Sequence, residues 1–160
     1  MFYKTAATDA YWRAFANAAG LDHSNYVVAR FGDDASMADS LLALTLAGTK
    51  RATASLLREY GPCGDPLPRV GDYVVVVDGR GVPGCIWQTT DVVVKPLCDV
   101  DAQFAWDEGE GDRTLAWWRD AHRDYFTRQA SRERFTMHER IDTVFERFVV
   151  VWPITPVRET

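Results

Sequence analysis

A short break between two predicted elements carries the first residues that can do chemistry. Residues 48–53, with the sequence GTKRAT, place a glycine at a helix end, a lysine two positions later and a threonine at the start of a strand. Lysine presents a point charge to a phosphate or a developing oxyanion. Lys50 is one of three lysines in the chain, with Lys4 and Lys95. The alternative is that Lys50 and Arg51 only complement the negative end of the helix dipole.

A second group is acidic and rich in glycine. Residues 107–112, with the sequence DEGEGD, hold four carboxylates, and the two glycines let the backbone approach a ligand closely. Crowded carboxylates repel one another, so at least one pKa rises, which suits a general base or a divalent metal site. The alternative is a solvated turn between two helices, in which Asp112 caps the second helix.

The predicted helix after this acidic group contributes further candidates. His122 lies on its apolar stripe with Trp118, where a histidine is either a satisfied core residue or a catalytic one. Most tryptophans of this region are expected in the core, although one of them can stack on a base. The arginines at 128, 132 and 134 could line a cleft for phosphates, or belong to a solvated face.

Helices are predicted at both ends of the region that holds these groups. The first runs from a cap at Thr8 to Ala19, and the second opens near Ser36 and ends before Gly48. Two more follow the strands, one opened by Asp101 and a longer one capped by Asp112 or Thr114.

The strands are predicted between these pairs of helices. Residues 73–78 are a run of valines, and residues 84–94 supply one or two further strands, which is typical of a hairpin or meander. The last strand, over 142–152, is apolar on both faces and is expected to be central. Strands and helices are segregated along the chain. We therefore expect an α+β fold, with a small, mostly antiparallel β-barrel and flanking helices.

Composition bounds the class of protein. The 160 residues are 47% hydrophobic and 26% charged, which predicts one folded domain over 1–160, with a helical segment over 8–47 packed on the barrel. A net charge of -5 argues against binding duplex DNA by bulk charge, but leaves room for a small basic cleft that holds a few nucleotides.

The three cysteines and the hydropathy indicate the compartment. Cys63, Cys85 and Cys98 show no metal-ligand spacing, so three reduced thiols are expected. No apolar run is long enough to cross a bilayer, and the first residues lack the apolar stretch of a signal peptide. We expect a cytoplasmic protein without membrane partners.

Taken together, the two groups resemble the ASCH domain family, which has a PUA-like β-barrel fold. The family motif GxKxxT stands here as Gly48, Lys50 and Thr53. The similarity to the longer bacterial members extends over nearly the whole chain. It includes residues 31–33, 38–41, 67–72 and 104–105, the glycine-rich run 108–112 and residues 118–122.

The resemblance implies RNA-related ligands and two activities. Some longer members look like ribonucleases that act on single-stranded RNA with a divalent metal, here Mn or Mg. Some short members are amidohydrolases that remove the acetyl group of N4-acetylcytidine with a Lys, a Thr and a Glu. These carry over as catalytic Lys50, Thr53 and Glu108, with Glu110 as the alternative for the Glu. We expect substrate-binding roles for Arg51, Glu110, Asp112, Trp118 and His122.

Three functions follow from this resemblance. Metal-assisted cleavage of single-stranded RNA is the first expectation, because the similarity is to the longer members. Hydrolysis of an acetylated pyrimidine nucleoside is the second, and an RNA-binding module without chemistry is the third. A compact pocket around a single pyrimidine favours the amidohydrolase. An open basic groove several nucleotides long favours the ribonuclease.

Overall fold

The computed structural model describes residues 2–62 and 64–154. Within them the helices and strands follow in the order α1 (Ala6–Ala19), β1 (Val27–Ala29), α2 (Ala35–Leu46), β2 (Ala52–Leu56), β3 (Tyr73–Val77), β4 (Pro83–Pro96), α3 (Ala102–Glu108), α4 (Leu115–Glu133) and β5 (Asp142–Trp152). Short 3-10 turns lie at Leu57–Glu59 and Leu97–Asp99.

The strands form one five-stranded sheet with the order β1-β3-β4-β5-β2. β1 is parallel to β3 and every other pairing is antiparallel, so the predicted α+β class and mostly antiparallel sheet are confirmed. The predicted small barrel is a half-barrel, because the edge strands β1 and β2 do not pair with each other. Register shifts in β4 at Ile86/Trp87 and Thr89/Asp91 mark the irregularities that increase local twist.

Several element boundaries differ from the predicted ones. Thr5 caps α1 one turn earlier than expected, and Thr8 bonds back to it in a reciprocal capping box. Asp34, instead of Ser36, caps α2, whereas Asp101 caps α3 and Thr114 caps α4 as predicted. The segment 8–47 contains the two expected helices, but β1 lies between them. A run of three residues is too short for its hydrophobic pattern to reveal a strand.

The two faces of the sheet pack against different helices. Val75 and Val77 of β3 contact the Trp12 and Phe15 face of α1. The alternate residues Val74 and Val76 point to the other face, where they cluster with Leu42 of α2. α3 and α4 pack over β2 and β5 through Phe104, Trp118, Phe126, Ala52 and Phe145. The predicted central placement of β5 is confirmed, since it pairs with both β4 and β2.

Two smaller expectations concern thiols and membranes. Cys85 and Cys98 are free, and Cys63 lies outside the described residues. Within the described ranges, no helix combines the length and the apolar character that spanning a membrane requires.

Candidate active site

Backbone contacts bring the two chemistry-bearing segments together. After α2, Gly48 takes φ +76°, and the amides of Thr49 and Lys50 both donate to the Leu44 carbonyl. Gly109 ends α3 with φ +72°, so close to this turn that a Cβ would lie 2.3 Å from the Thr49 carbonyl oxygen. Only glycine allows this approach. The end of α3 is therefore fastened against the Lys50 turn, although 58 residues separate Lys50 from Glu108.

Lys50, Glu108, Glu110 and His122 form a buried charge cluster. The Lys50 Nζ lies 2.6 Å from Glu110 Oε1 and 3.3 Å from Glu108 Oε1. The His122 Nε2 lies 3.3 Å from the same Glu108 oxygen. The Trp118 indole N–H donates to the other Glu108 oxygen. Lys50 is 1% exposed and Glu108 is 2% exposed, so these charges compensate one another away from water.

The hydrogen bonds of His122 indicate its protonation state. Its Nδ1 lies 2.9 Å from the Trp118 carbonyl oxygen, which only accepts, so Nδ1 carries a proton. Nε2 faces the Glu108 carboxylate, and a second proton there gives an imidazolium. Burial lowers the pKa of His122, but the charge and hydrogen bond of Glu108, the charge of Glu110 and the Trp118 carbonyl together outweigh it, and the pKa is raised.

The same balance fixes the ionisation of Glu108 and Lys50. Burial raises the pKa of Glu108, but the charges of His122 and Lys50 bring it down to about 2. Burial lowers the pKa of Lys50, and the charges of Glu108 and Glu110 raise it above its usual value. Lys50 is therefore an ammonium and Glu108 a carboxylate with little basicity.

Thr53 faces the cavity that this cluster borders. The cavity has a volume of about 390 Å³ and is lined by Lys50, Thr53, Glu108, Glu110 and His122. Phe31, Trp87, Trp117 and Tyr125 also line it. Along β2, Ala52 and Leu56 point into the core, whereas Thr53 lies on the cavity side. Among the described residues, none hydrogen-bonds to the Thr53 hydroxyl, which leaves it available to a ligand.

Another buried carboxyl group of the cavity lining lies in a different environment. Glu146 on β5 is 6% exposed and lines the cavity, and the Thr89 hydroxyl donates to its Oε1 at 2.6 Å. Across the described ranges, no Lys, Arg or His forms an ion pair with Glu146. Burial raises its pKa, and the Thr89 hydrogen bond offsets only part of that rise. We call Glu146, Thr89 and Trp87 the Glu146 end.

Two buried N–H donors at this cavity lack a partner. The Trp87 indole lies near enough to Glu146 to lower its pKa, but its Nε1 has no acceptor with hydrogen-bond geometry among the described residues. The Nε of Arg30 is likewise buried without an acceptor in this part of the chain. Both residues line the cavity. Unsatisfied buried donors cost stability, so they indicate a ligand that supplies acceptors.

The donor set was compared with the needs of the Mn or Mg ion that the resemblance implies. Divalent metals of this kind need several free carboxylate or carbonyl oxygens. Both Glu108 oxygens and one Glu110 oxygen are already bound by the Lys50 ammonium, the His122 ring and the Trp118 indole. The described ranges contain no group of three or more His, Cys, Asp or Glu side chains placed to hold an ion. These residues do not fit a divalent metal.

The remaining predicted site residues are placed differently. Trp118 is buried and contacts Glu108 without lining the cavity, so it positions that carboxylate. Arg51 points away to Asp107, with its side chain 53% exposed. Asp112 accepts from the Thr114 amide and hydroxyl in the turn before α4. Arg51 and Asp112 therefore lie outside the cavity.

Other cavity residues carried no recognisable motif in the sequence. Glu146 lies in an apolar strand, and only its polarity among valines and phenylalanines could have marked it. Arg128, Arg132 and Arg134 could line a phosphate cleft or belong to a solvated face; Arg128 lines the cavity, whereas the other two are not among its lining residues. Arg128 also pairs with Asp33, as does Arg132, both at 3.1 Å. These ion pairs tie the loop after β1 to α4 across the cavity.

One family model and two solved structures are similar to this chain. The model of the ASCH domain family matches residues 27–152. An ASCH domain structure from Lactobacillus crispatus JV V101 is 32% identical, with a TM-score of 0.80 over 88% of this chain and 91% of the other. A protein structure from Enterococcus faecalis V583 is 30% identical, also with a TM-score of 0.80, over 89% of this chain and 86% of the other. No protein of curated function matches the sequence. The chain belongs to the ASCH domain family.

Proposed function

We propose that this protein is an amidohydrolase that removes an acyl group from a modified pyrimidine nucleoside, without a metal ion. One observation carries this proposal. The cavity is lined by the buried ammonium of Lys50 and by the hydroxyl of Thr53, which has no hydrogen-bond partner among the described residues. A hydroxyl that can attack a carbonyl carbon and a charge that can stabilise the resulting oxyanion are the two groups that acyl transfer needs.

The size and lining of the cavity support a small planar ligand. A volume of about 390 Å³ lies in the range of pockets for small molecules. Aromatic side chains at positions 31, 87, 117 and 125 offer faces and edges to a ring. The unpaired Trp87 and Arg30 donors offer hydrogen bonds to its acceptors.

The charge of the lining favours an uncharged nucleoside over an RNA strand. Among the described residues the cavity is lined by five carboxyl groups, those of Glu59, Asp65, Glu108, Glu110 and Glu146. Three Lys and Arg side chains line it, those of Arg30, Lys50 and Arg128, and even with the His122 imidazolium the cations do not outnumber the carboxyl groups. A strand with a phosphate at each nucleotide needs a groove with excess positive charge. The donor set also does not fit the metal that a metal-assisted ribonuclease would use.

The charge cluster assigns Lys50 an electrostatic part in the reaction. Its raised pKa keeps it protonated, so it stabilises the oxyanion and does not act as the base. Glu108 and Glu110 fix the ammonium in place, and His122 and Trp118 fix Glu108. Such preorganisation lets the charge act without rearrangement when the oxyanion forms.

A paired assay on one purified preparation tests this proposal. The wild-type protein is expected to release acetate and cytidine from N4-acetylcytidine without added metal. Lys50→Ala and Thr53→Val are expected to abolish this release, whereas Lys95→Ala, a change outside the cavity, retains it. The same proteins are offered single-stranded RNA with Mn or Mg. RNA cleavage that both site variants lose would overturn the proposal in favour of the ribonuclease. Binding of acetylcytidine without turnover would leave a binding module instead.

A further inference from the structure

We infer that Glu146 is a further catalytic residue, whose carboxylate takes the proton of Thr53 and returns it to the leaving nitrogen. This inference rests on the proposed amidohydrolase function and deepens it. Lys50, being protonated, cannot accept the Thr53 proton. The attack of a threonine hydroxyl on an amide therefore needs a base from elsewhere in the cavity.

The register of the sheet places Glu146 beside Thr53. Thr53 on β2 pairs directly with Glu146 on β5. Residues that are opposite each other in an antiparallel pair project to the same face, with Cβ atoms about 4.5–5.5 Å apart. Both residues line the cavity. The carboxyl group and the hydroxyl therefore share one face of the sheet, within reach of one ligand.

The other carboxyl groups near Lys50 are less suited to this task. Glu108 accepts from Lys50, His122 and Trp118, so both of its oxygens are occupied. Glu110 is bound to Lys50 at 2.6 Å. A carboxylate held by cations has a low proton affinity, whereas a buried carboxylate without a cation has a high one. Glu146 has only the Thr89 hydroxyl at hydrogen-bond distance in the described part of the chain.

The groups that face Glu146 keep its proton affinity above that of Glu108. From β4 the Thr89 hydroxyl and the Trp87 indole lower its pKa, and the charge of Asp72, before β3, raises it. Glu146 in turn raises the pKa of Tyr60, which follows the 3-10 turn after β2. Lys50, Arg30 and Arg128 are the Lys and Arg side chains among the described cavity residues. Lys50 and Arg128 already pair with carboxylates elsewhere.

The step can be written with every proton placed. The Thr53 oxygen bonds to the amide carbon as its proton passes to Glu146, and the carbonyl electron pair moves to the oxygen near Lys50. The pair then returns, the C–N bond breaks, and Glu146 gives its proton to the departing nitrogen. Water attacks the Thr53 ester, giving one proton to Glu146 that is passed to the Thr53 oxygen. The sum is amide plus water to amine plus carboxylic acid.

The test compares Glu146→Gln with Glu139→Gln, a change of the same kind in an exposed carboxylate paired with Arg123. With N4-acetylcytidine, Glu146→Gln is expected to lower kcat by about 100-fold or more while KM changes little. The wild-type kcat/KM is expected to rise with pH on an acidic limb that lies above the ordinary glutamate range. That limb is expected to disappear in Glu146→Gln. Formate is expected to restore activity to Glu146→Ala, and thermal unfolding reports whether each variant is folded.

The outcomes separate this inference from the proposed function. Failure of the wild-type protein to release acetate overturns the proposed function, and the inference with it. An active wild-type protein whose Glu146→Gln variant keeps its kcat overturns the inference alone. A folded Glu146→Gln variant with reduced kcat but an unchanged acidic limb, together with no formate rescue of Glu146→Ala, also overturns it, because a merely structural role gives that pattern.

Discussion

The pKa values of two buried carboxyl groups that line the cavity, Glu108 and Glu146, are shifted in opposite directions. In the charge cluster, Glu108 pairs with two cations, Lys50 and His122, and both of its oxygens are bound. At the Glu146 end, the carboxyl group is similarly buried, but only a hydroxyl bonds to it among the described residues. Burial alone raises a carboxyl pKa, so the partners decide the direction in each case. The pKa of Glu108 falls to about 2, and that of Glu146 rises.

This contrast indicates a division of labour. Paired buried charges hold a defined geometry, because removal of one partner leaves another buried charge uncompensated. A buried carboxyl without a cation contributes reactivity at a cost in stability. In the proposed reaction, the cluster therefore fixes Lys50 and Glu146 transfers protons. If the comparison holds, substitutions at the cluster lower the free energy of unfolding, and substitutions at the Glu146 end leave it unchanged or raise it.

The largest expected effect is that of Lys50→Met. It removes the ammonium that lies between two carboxylates, and we expect the free energy of unfolding to fall by about 3–5 kcal/mol. Urea unfolding at neutral pH measures this fall. Lys95→Met is the control, since Lys95 lies 4.0 Å from an exposed Asp101 and its removal is expected to cost less than about 1 kcal/mol. Equal losses for the two variants would contradict the structural importance of the cluster.

Glu108→Gln is expected to cost about 3 kcal/mol at neutral pH, from the difference between a pKa of about 2 and the ordinary value. Because folding lowers this pKa, the ionised group stabilises the fold above the unfolded pKa. That stability is lost as pH falls through the folded value. Unfolding free energies measured from neutral pH downwards are expected to converge for Glu108→Gln and wild type, and parallel curves would contradict this.

Glu146→Gln is expected to change the free energy of unfolding in the direction opposite to Glu108→Gln. Folding raises this pKa, so the protonated form is favoured, and the penalty appears as pH rises from the unfolded pKa through the folded one. A glutamine keeps an acceptor for Thr89 and removes the charge. We expect the variant to gain about 1 kcal/mol at neutral pH, a trade of activity for stability. Chemical unfolding at neutral and acidic pH measures the gain, and a loss at neutral pH would contradict the proposed contrast.

More of the charge cluster than of the Glu146 end could be predicted from the sequence alone. Lys50 and Glu108 could be named because each lies in a break with glycines, where local chemistry is visible in a few residues. Their contact depends on Gly109 lying against the Thr49 carbonyl, which is a tertiary contact that no local pattern encodes. Arg51 shares the first motif but pairs with Asp107 outside the cavity, a tertiary contact that the local sequence does not reveal.

Glu146 was missed for a physical reason. Its place in the cavity depends on the register of β2 against β5, and its partners Thr89 and Trp87 come from β4. Sheet order and register are long-range properties. The helices were easier to predict because caps such as Asp101 and Thr114 act within one turn. The half-barrel likewise depends on β1, whose three residues carry too little pattern to predict.

Thr53 pairs with Glu146 in the sheet and lines the same cavity as Lys50. Replacement of Thr53 is expected to give the smallest change in stability. Its hydroxyl has no hydrogen-bond partner among the described residues, and valine keeps both the branched shape and the strand preference. Thr53→Val is expected to change the free energy of unfolding by less than about 0.5 kcal/mol. It removes the attacking oxygen, so acetate release from N4-acetylcytidine is expected to be lost. Thr53→Ser keeps that oxygen and is expected to remain active. Equal activity of the valine and serine variants would show that the hydroxyl does no chemistry. A large loss of stability in the valine variant would show that the Thr53 hydroxyl supports the fold, as the charge cluster does.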